Sequence, residues 1–363
     1  MTLHFYFARK FLWTFLGIAL VFAVLLTLID LVEELQDFPE LPFLEVLEIV
    51  LLNLPRANYE ILPLVMILAT VALFVRLARS SELVVVRASG RSAIGGLTGP
   101  VMVAAIIGLV ATTMFNPIVA ASAKRYKDIV NRHLGMGQNI LAISAEGLWL
   151  RQGTPQGQTV IHAVSASPDV TTLYEATFIS FAPGGEPLSR ITARSATLGP
   201  GEWALKDAKQ WNLGNDANPE ANARTYDVLT ITSALTQDRI IDSFGKPEFI
   251  PIWDLPAFIA QLERAGFSAR RYAIWYQMEL AQPLFLVALV LVGAAFTMRH
   301  ARLANTGTSV LAAIMLGFSL HYIRNFAQVL GENGQIPIML AAWAPPTAAF
   351  LLALGILLHM EDG

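Results

Sequence analysis

The sequence predicts a membrane α-helical bundle of six transmembrane helices, three before and three after an inserted all-β domain. Three observations carry this prediction. The 363 residues are 55% hydrophobic and only 15% charged, whereas soluble domains carry roughly 25% charged residues. Six apolar runs reach the ~17–25 residues a helix needs to cross a bilayer. Between the third and fourth runs lies a long polar interval in which apolar residues recur with period two, the period of a strand. The net charge of −3 gives no footing for nucleic acid. The absence of cysteine excludes disulfides and thiolate metal ligands without fixing a compartment.

The first run, Phe11–Ile29, follows Arg9 and Lys10. It is long enough to span and lacks a small-residue cleavage pattern, so it reads as a retained helix rather than a signal peptide. The stretch Asp30–Arg56 is acidic, with Arg56 its single basic residue. Inside it, Phe43–Leu54 is apolar with Glu45 and Glu48 about one turn apart, and it ends before Pro55. That pattern suits an interfacial helix leading into the second span. The second span covers roughly Ala57–Val75, with Glu60 near one end and Pro63 just inside; the third, Ala93–Ala123, has room to tilt or to continue beyond the membrane. The last three spans are Leu280–Met298, Leu303–Ile323 and Ile336–Leu358. The organisation is therefore a first membrane half at 1–123, an insertion at 124–272 and a second membrane half at 273–363.

Short basic loops resist translocation and set orientation. Arg9 and Lys10, the loop Arg76–Ser92 with its four arginines, and Arg299, His300 and Arg302 all fall on one side. Both termini then lie in the cytoplasm and the insertion lies on the far side of the membrane.

The loop Arg76–Ser92 contains a miniature helix. Ser80 or Ser81 can cap it, Glu82 sits in its first turn where the helix dipole favours a carboxylate, and Gly90 follows its last helical residue. Leu83, Val84, Val85, Val86 and Ala88 make it apolar almost all round. Two turns span only ~12 Å, too short to cross a bilayer. Such a helix needs a surface. That surface is either the lipid headgroups and its own bundle, or a groove in a separate cytoplasmic protein with Glu82 paired to a basic residue there.

In the insertion, Lys124–Arg132 continues the third helix towards Gly135 and Gly137. Thr159–Ser165, Leu173–Phe181, Arg190–Leu198, Trp203–Leu213 and Tyr226–Ser233 read as strands separated by Pro/Gly/Asn/Asp turns. Strands this short, with no helices between them, suit an antiparallel sandwich, barrel or jelly roll. One helix, 254–265, follows: Asp254 caps it, Pro256 sits in the first turn and Gly266 stops it.

No GxxxxGK[ST] or HExxH motif is present, and the six histidines are scattered without metal-ligand spacing. The chain shows no catalytic constellation, and neither a metal nor a cofactor of its own is expected. Ionisable groups near span ends, Glu60, Glu279, His321 and Arg324, either snorkel to water or face a cavity or partner. The functional reading of His321 and Arg324 is contact with an anionic headgroup, beside Phe318 and Tyr322 one turn apart.

The 3+3 arrangement, the motif SSELVVVRASG after the second span, EGLWLRQG at Glu146–Gly153 and GQIPIMLAAWAPPTAAFLL through the last span together resemble the LptF/LptG family of lipopolysaccharide-export permeases. The resemblance covers essentially the whole chain and lies nearer the LptG branch than the LptF branch. It implies a jellyroll-like periplasmic domain on a bacterial inner-membrane bundle, and pairing with an LptF-like permease. It further implies a dimer of an LptB-like ATPase that holds ATP and magnesium, and a bridge of LptC-like and LptA-like proteins that receives the lipopolysaccharide. By the match Glu82 seats in the ATPase, with Leu83, Val86 and Arg87 as neighbours. The first and fifth spans would line the lipid cavity, through Phe22, Ile29 and Asp30 and through Phe318, His321, Tyr322 and Arg324. One departure stands out. Family members of the LptG type carry lysines just beyond the first span, whereas Asp30–Asp37 here reads DLVEELQD. Fewer lipid phosphates, bridging divalent cations, or basic contacts from Arg324 or the LptF-like partner would each accommodate it. Two readings compete with the exporter: a membrane-anchored binding or scaffold protein without transport, and, more weakly, a transferase using Glu60 or Glu279. An anchor has no use for a capped apolar helix in a cytoplasmic loop.

Overall fold

The computed structural model describes residues 2–88, 93–133, 141–144, 147–154, 157–167, 171–214, 218–233, 235–236, 240, 245–298 and 306–362. Gly90, Arg91, Gly135, Gly137, Glu146 and the loop residues Arg299, His300 and Arg302 lie outside the described residues. In chain order the helices begin with α1 (Thr2–Asp37), α2 (Phe43–Glu60), α3 (Leu62–Arg79), α4 (Glu82–Ala88), α5 (Ala93–Val110) and α6 (Asn116–His133). After the strands come α7 (Leu255–Arg264), α8 (Arg270–Thr297), α9 (Thr306–Glu332) and α10 (Ile338–Asp362). The chain forms two compact units. One comprises Met1–Ile129, Glu248–Trp253 and Ala273–Gly363; the other comprises Val130–Pro247 and Asp254–Tyr272.

Among the described residues six helices are long and apolar enough to cross a membrane. Most run past the apolar stretch read from the sequence, because a helix does not end where hydropathy does. The α1 helix, for example, carries its acidic tail to Asp37 as helix. The second span starts later than Ala57. The α2 helix runs through Pro55 to Glu60, and the break falls at Ile61. Pro63 has no N–H for the Tyr59 carbonyl and its ring crowds that carbonyl, yet it fits the first turn of a new helix. Burial separates the spans by role. The apolar window of α8 is 78% buried and that of α1 only 6%, so α8 is the central post and α1 a peripheral stave. The core of this unit gathers Phe7 and Phe11 of α1, Met66, Leu73, Phe74 and Leu77 of α3, and Phe285 and Leu289 of α8. In an all-apolar bundle, small residues set how closely helices approach. A Cβ at Gly108 would stand 2.5 Å from Pro283 Cα.

Between α5 and α6 the helix widens into a π turn, Ala111–Phe115. Such turns leave carbonyls in need of partners. Here the Trp253 indole N–H donates to the Thr113 carbonyl at 3.1 Å, and the Ile252 amide donates to Asn116 Oδ1 at 2.9 Å.

The second unit is a seven-stranded antiparallel sheet whose strands pair in sequence order. They are β1 (Leu141–Ser144), β2 (Gly147–Thr154), β3 (Gly157–Ala166), β4 (Thr172–Phe181), β5 (Pro187–Gly199), β6 (Glu202–Asn212) and β7 (Arg224–Thr232). The inserted domain is all-β, and the jellyroll-like expectation narrows to a meander with no crossover among the described strands. Two strands, β1 and β2, were not among the five the pattern predicts. The first has only four residues, and β2 alternates only over Leu148, Leu150 and Gln152, which are buried. The sheet is creased. The pairing skips one rung at the same level through β3 to β7, at Val164, Glu175, Arg194, Asp207 and Asp227. Glu175 and Asp207 take left-handed backbone there, at φ 50° and 51°. Beside the crease runs a row of buried alanines in register, Ala163, Ala176, Ala193 and Ala208, side chains small enough for a sharp bend. Helix α7 buries Leu255 and Leu262. It stops at Gly266, where φ is +86° and a Cβ would stand 2.5 Å from the Ala166 carbonyl oxygen.

Candidate functional site

The short helix α4 begins immediately after Ser81, which holds a left-handed φ of 57°. The Ser81 carbonyl accepts the Val85 amide, and Ser80 Oγ reaches forward to Glu82 Oε1 at 3.0 Å. Glu82 is bound within its own chain. Lys10 of α1 donates to both carboxylate oxygens, at 2.8 and 2.9 Å, and the Tyr6 hydroxyl donates to Oε2 at 3.2 Å. The Lys10 ammonium also lies 4.4 Å from the centre of the Tyr6 ring. Burial pushes the Glu82 carboxyl up, but hydrogen bonds from Lys10, Ser80 and Tyr6 outweigh it and hold the group below its ordinary value of 4.5. Val86, expected beside Glu82 at a partner surface, is instead turned into the bundle core at 9% exposure, because it follows Glu82 by one turn on the inward face. Val85, 68% exposed, is the valine that α4 presents. The Leu83 and Arg87 side chains lie outside the described residues.

At the opposite end of α3 a groove of about 190 Å³ opens between α3 and α9, lined by Glu60, Ile61, Pro63, Leu64, Ile67, Gly317, Phe318, His321 and Tyr322. Gly317 makes room for it, since any Cβ there would collide with Ile67. Glu60 is held by Arg56, whose Nε donates to Oε1 at 2.9 Å; Arg56 also reaches Glu248 at 3.3 Å. Phe318, His321 and Tyr322 line one groove, together with residues of the second span and none of the first. Asn325 Nδ2 lies 3.2 Å from His321 Nε2, and Tyr322 is 67% exposed.

Arg324 does not join them. It is 8% exposed and turned into the bundle. One amine of its guanidinium donates to the Met278 carbonyl at 3.0 Å, and the group lies 4.8 Å from the Phe285 ring centre. The cause is Glu279, buried on α8 with Arg324 as its electrostatic counterpart and Asn116 beside it. The Tyr59 hydroxyl donates to Glu279 Oε2, and Thr112, in the π turn, donates to the Glu279 carbonyl at 3.1 Å. The carboxylate and the guanidinium lie buried in one bundle and attract each other without a direct ion pair, each hydrogen-bonded to another group, Tyr59 and the Met278 carbonyl.

The residues proposed from the first span separate. Phe22 packs half-buried against the core, Ile29 is exposed at 59%, and Asp30 accepts a 3.0 Å hydrogen bond from Asn53. Among the acidic residues of 30–37, Glu34 is buried and accepts from the Tyr126 hydroxyl at 2.7 Å. Sequence reasoning missed Lys10, Tyr6, Tyr59 and Thr112. Lys10 reads as an ordinary basic flank, because nothing local ties it to a residue 72 positions away. Tyr59 and Thr112 could have been sought from Glu279, since a carboxylate inside a span calls for a partner.

The chain also resembles known proteins. A family model described as "Lipopolysaccharide export system permease LptF/LptG" matches residues 5–359. Lipopolysaccharide export system permease protein LptG of Escherichia coli K12 is 23% identical over 312 residues, covering 85% of this chain and 84% of that protein. The LptG of Escherichia coli O6:H1 matches to the same extent. Six apolar spans around an inserted β domain, and a family match running almost from end to end, place this chain in the LptF/LptG family of lipopolysaccharide export system permeases.

Proposed function

We propose that this chain is the LptG-type permease subunit of an ATP-binding-cassette exporter, taking lipopolysaccharide from the bacterial inner membrane and passing it to a periplasmic bridge. The observation that carries the reading is the family match over residues 5–359, spans and β domain alike. The chain supplies no nucleotide-binding motif. ATP and magnesium belong to an LptB-like ATPase dimer, with an LptF-like permease as the second membrane subunit and LptC-like and LptA-like proteins as the bridge. Both termini and α4 face the cytoplasm, following the basic loops, and the β domain faces the periplasm.

The work is divided between the two ends of α3. The α4 helix, pinned to the bundle through Glu82 and Val86, offers Val85 and the exposed part of the Glu82 side chain to the ATPase. The groove at Glu60, Phe318, His321 and Tyr322 receives part of the lipid. With the acidic run at Asp30–Asp37, the headgroup is met by divalent cations, by a lipid with fewer phosphates, or by basic contacts from Arg324 or the partner permease.

The test is co-purification of the full chain with its ATPase. Glu82→Arg leaves the permease folded and lowers ATPase recovery by about tenfold or more, as expected for a charge-assisted contact turned repulsive. Unchanged recovery together with unchanged lipopolysaccharide export would refute the proposal.

A further inference from the structure

Glu82 has its acceptor sites filled before any partner arrives. Oε1 accepts from Lys10 and Ser80, and Oε2 accepts from Lys10 and Tyr6. A carboxylate offers about four lone-pair sites, so the group is fixed in orientation rather than left to search. The second anchor of α4 is Val86, four residues on and seated in the bundle core. Residues four apart lie on one face of a helix. A two-turn helix held at both turns on one face cannot rotate about its axis without breaking one of the two attachments. The left-handed Ser81, a backbone costly for serine, stands immediately before the first of these attachments.

The other end of the clasp is α1. Lys10 and Tyr6 lie one turn apart on it. Of the six spans α1 has the least buried apolar window, 6% against 22–78% for the others. Phe7 and Phe11 seat its first turns in the bundle core, while most of its apolar stretch is left uncovered within this chain.

We propose that Lys10 is a positioning residue for Glu82: with Tyr6 it clasps the first turn of α4 to the first span, so that a displacement of α4 is delivered to α1. The inference rests on the reading of α4 as the ATPase-docking helix, but the clasp itself is a property of this chain alone.

Because the chain contains no cysteine, spin labels can be placed without background at Val85 on α4 and Leu20 on α1, both exposed. In the full chain alone, Lys10→Met broadens the distance distribution and lowers the clasped population by about tenfold, the loss expected for a hydrogen-bonded charge pair. The double swap Lys10→Glu with Glu82→Lys narrows it again. In the assembled exporter in lipid nanodiscs, Lys10→Met keeps the ATPase bound but loses most of the stimulation of ATP hydrolysis by lipopolysaccharide, and Lys10→Arg restores it. An unchanged distance distribution in Lys10→Met, or failure of the swap to narrow it, overturns the clasp. A broadened distribution with full stimulation overturns the transmission role. Should Glu82→Arg leave the ATPase bound, the docking reading falls while the spin-label result on the isolated chain stands or fails separately.

Discussion

Replacing Arg324 by methionine keeps most of the side-chain volume and removes a cation from the interior of the bundle. The geometry sets what is lost. One hydrogen bond to the Met278 carbonyl at 3.0 Å disappears, and hydrogen bonds from charged groups are worth about 1.5–3 kcal/mol. The contact with the Phe285 ring at 4.8 Å goes as well, and a desolvated cation–π contact contributes about 2 kcal/mol. Glu279 then remains buried with only the hydroxyl of Tyr59 and its polar neighbours. Relief of the guanidinium's own desolvation offsets part of this. Removing one partner of a buried pair nonetheless costs about 3–5 kcal/mol on balance. For a unit of this size each kcal/mol moves the midpoint by ~2–4 °C, so Arg324→Met melts roughly 6–20 °C below the parent. The assay is thermal unfolding of the full chain in detergent, followed by near-ultraviolet circular dichroism. Arg324→Met combined with Glu279→Gln removes both charges and recovers to within about 1 kcal/mol of the parent. A single variant that melts with the parent, or a double variant as unstable as the single, would show that the two groups do not compensate each other.

Two further outcomes follow from the same reasoning. The folded Glu82 carboxyl lies below its ordinary value of 4.5, so the clasp stabilises fully above that value and is lost as the pH falls through the lowered one; the Val85–Leu20 label distance should stay narrow from about pH 7 down to the ordinary carboxylate range and broaden below it, whereas Glu82→Gln is broad throughout. In the β domain, Phe178 is buried edge-on to Trp203 with ring centres 6.0 Å apart; Phe178→Ala removes about 3–5 kcal/mol from that unit, read as faster proteolysis within residues 130–272 of the intact chain, and a parent-like digestion rate would contradict the packing described.

Much of the fold is a one-dimensional property and was legible as such. Runs of about twenty apolar residues, basic short loops and a switch to period two are written in consecutive positions, and each answers to the solvent the segment must meet. Strands β3 to β7, the α7 helix and the short α4 helix appear where the local chemistry puts them, although Asp254, expected to cap α7, makes no side-chain capping hydrogen bond. The family resemblance was likewise carried by short contiguous motifs and agrees with the match over residues 5–359. Boundaries were less legible. Helices overran their hydropathy, and Pro63 rather than Pro55 broke the second, because the cost of a proline depends on whether its neighbours can afford the missing hydrogen bond.

The chain's order of residues determined that α4 would be short and apolar, and that Glu279 and Arg324 would sit near the ends of the apolar runs. Tertiary structure alone decided what they meet. It brought Lys10 to Glu82 across 72 residues and Tyr59 to Glu279 across 220, turned Val86 inward and Val85 outward, and drew Arg324 away from the groove that holds His321 and Tyr322. The physical reason is that an ionisable group inside an apolar bundle is satisfied by whichever polar atom packing brings within ~3 Å. Which atom that is depends on helix crossings made by glycines such as Gly108 and Gly317, and sequence separation carries no trace of it.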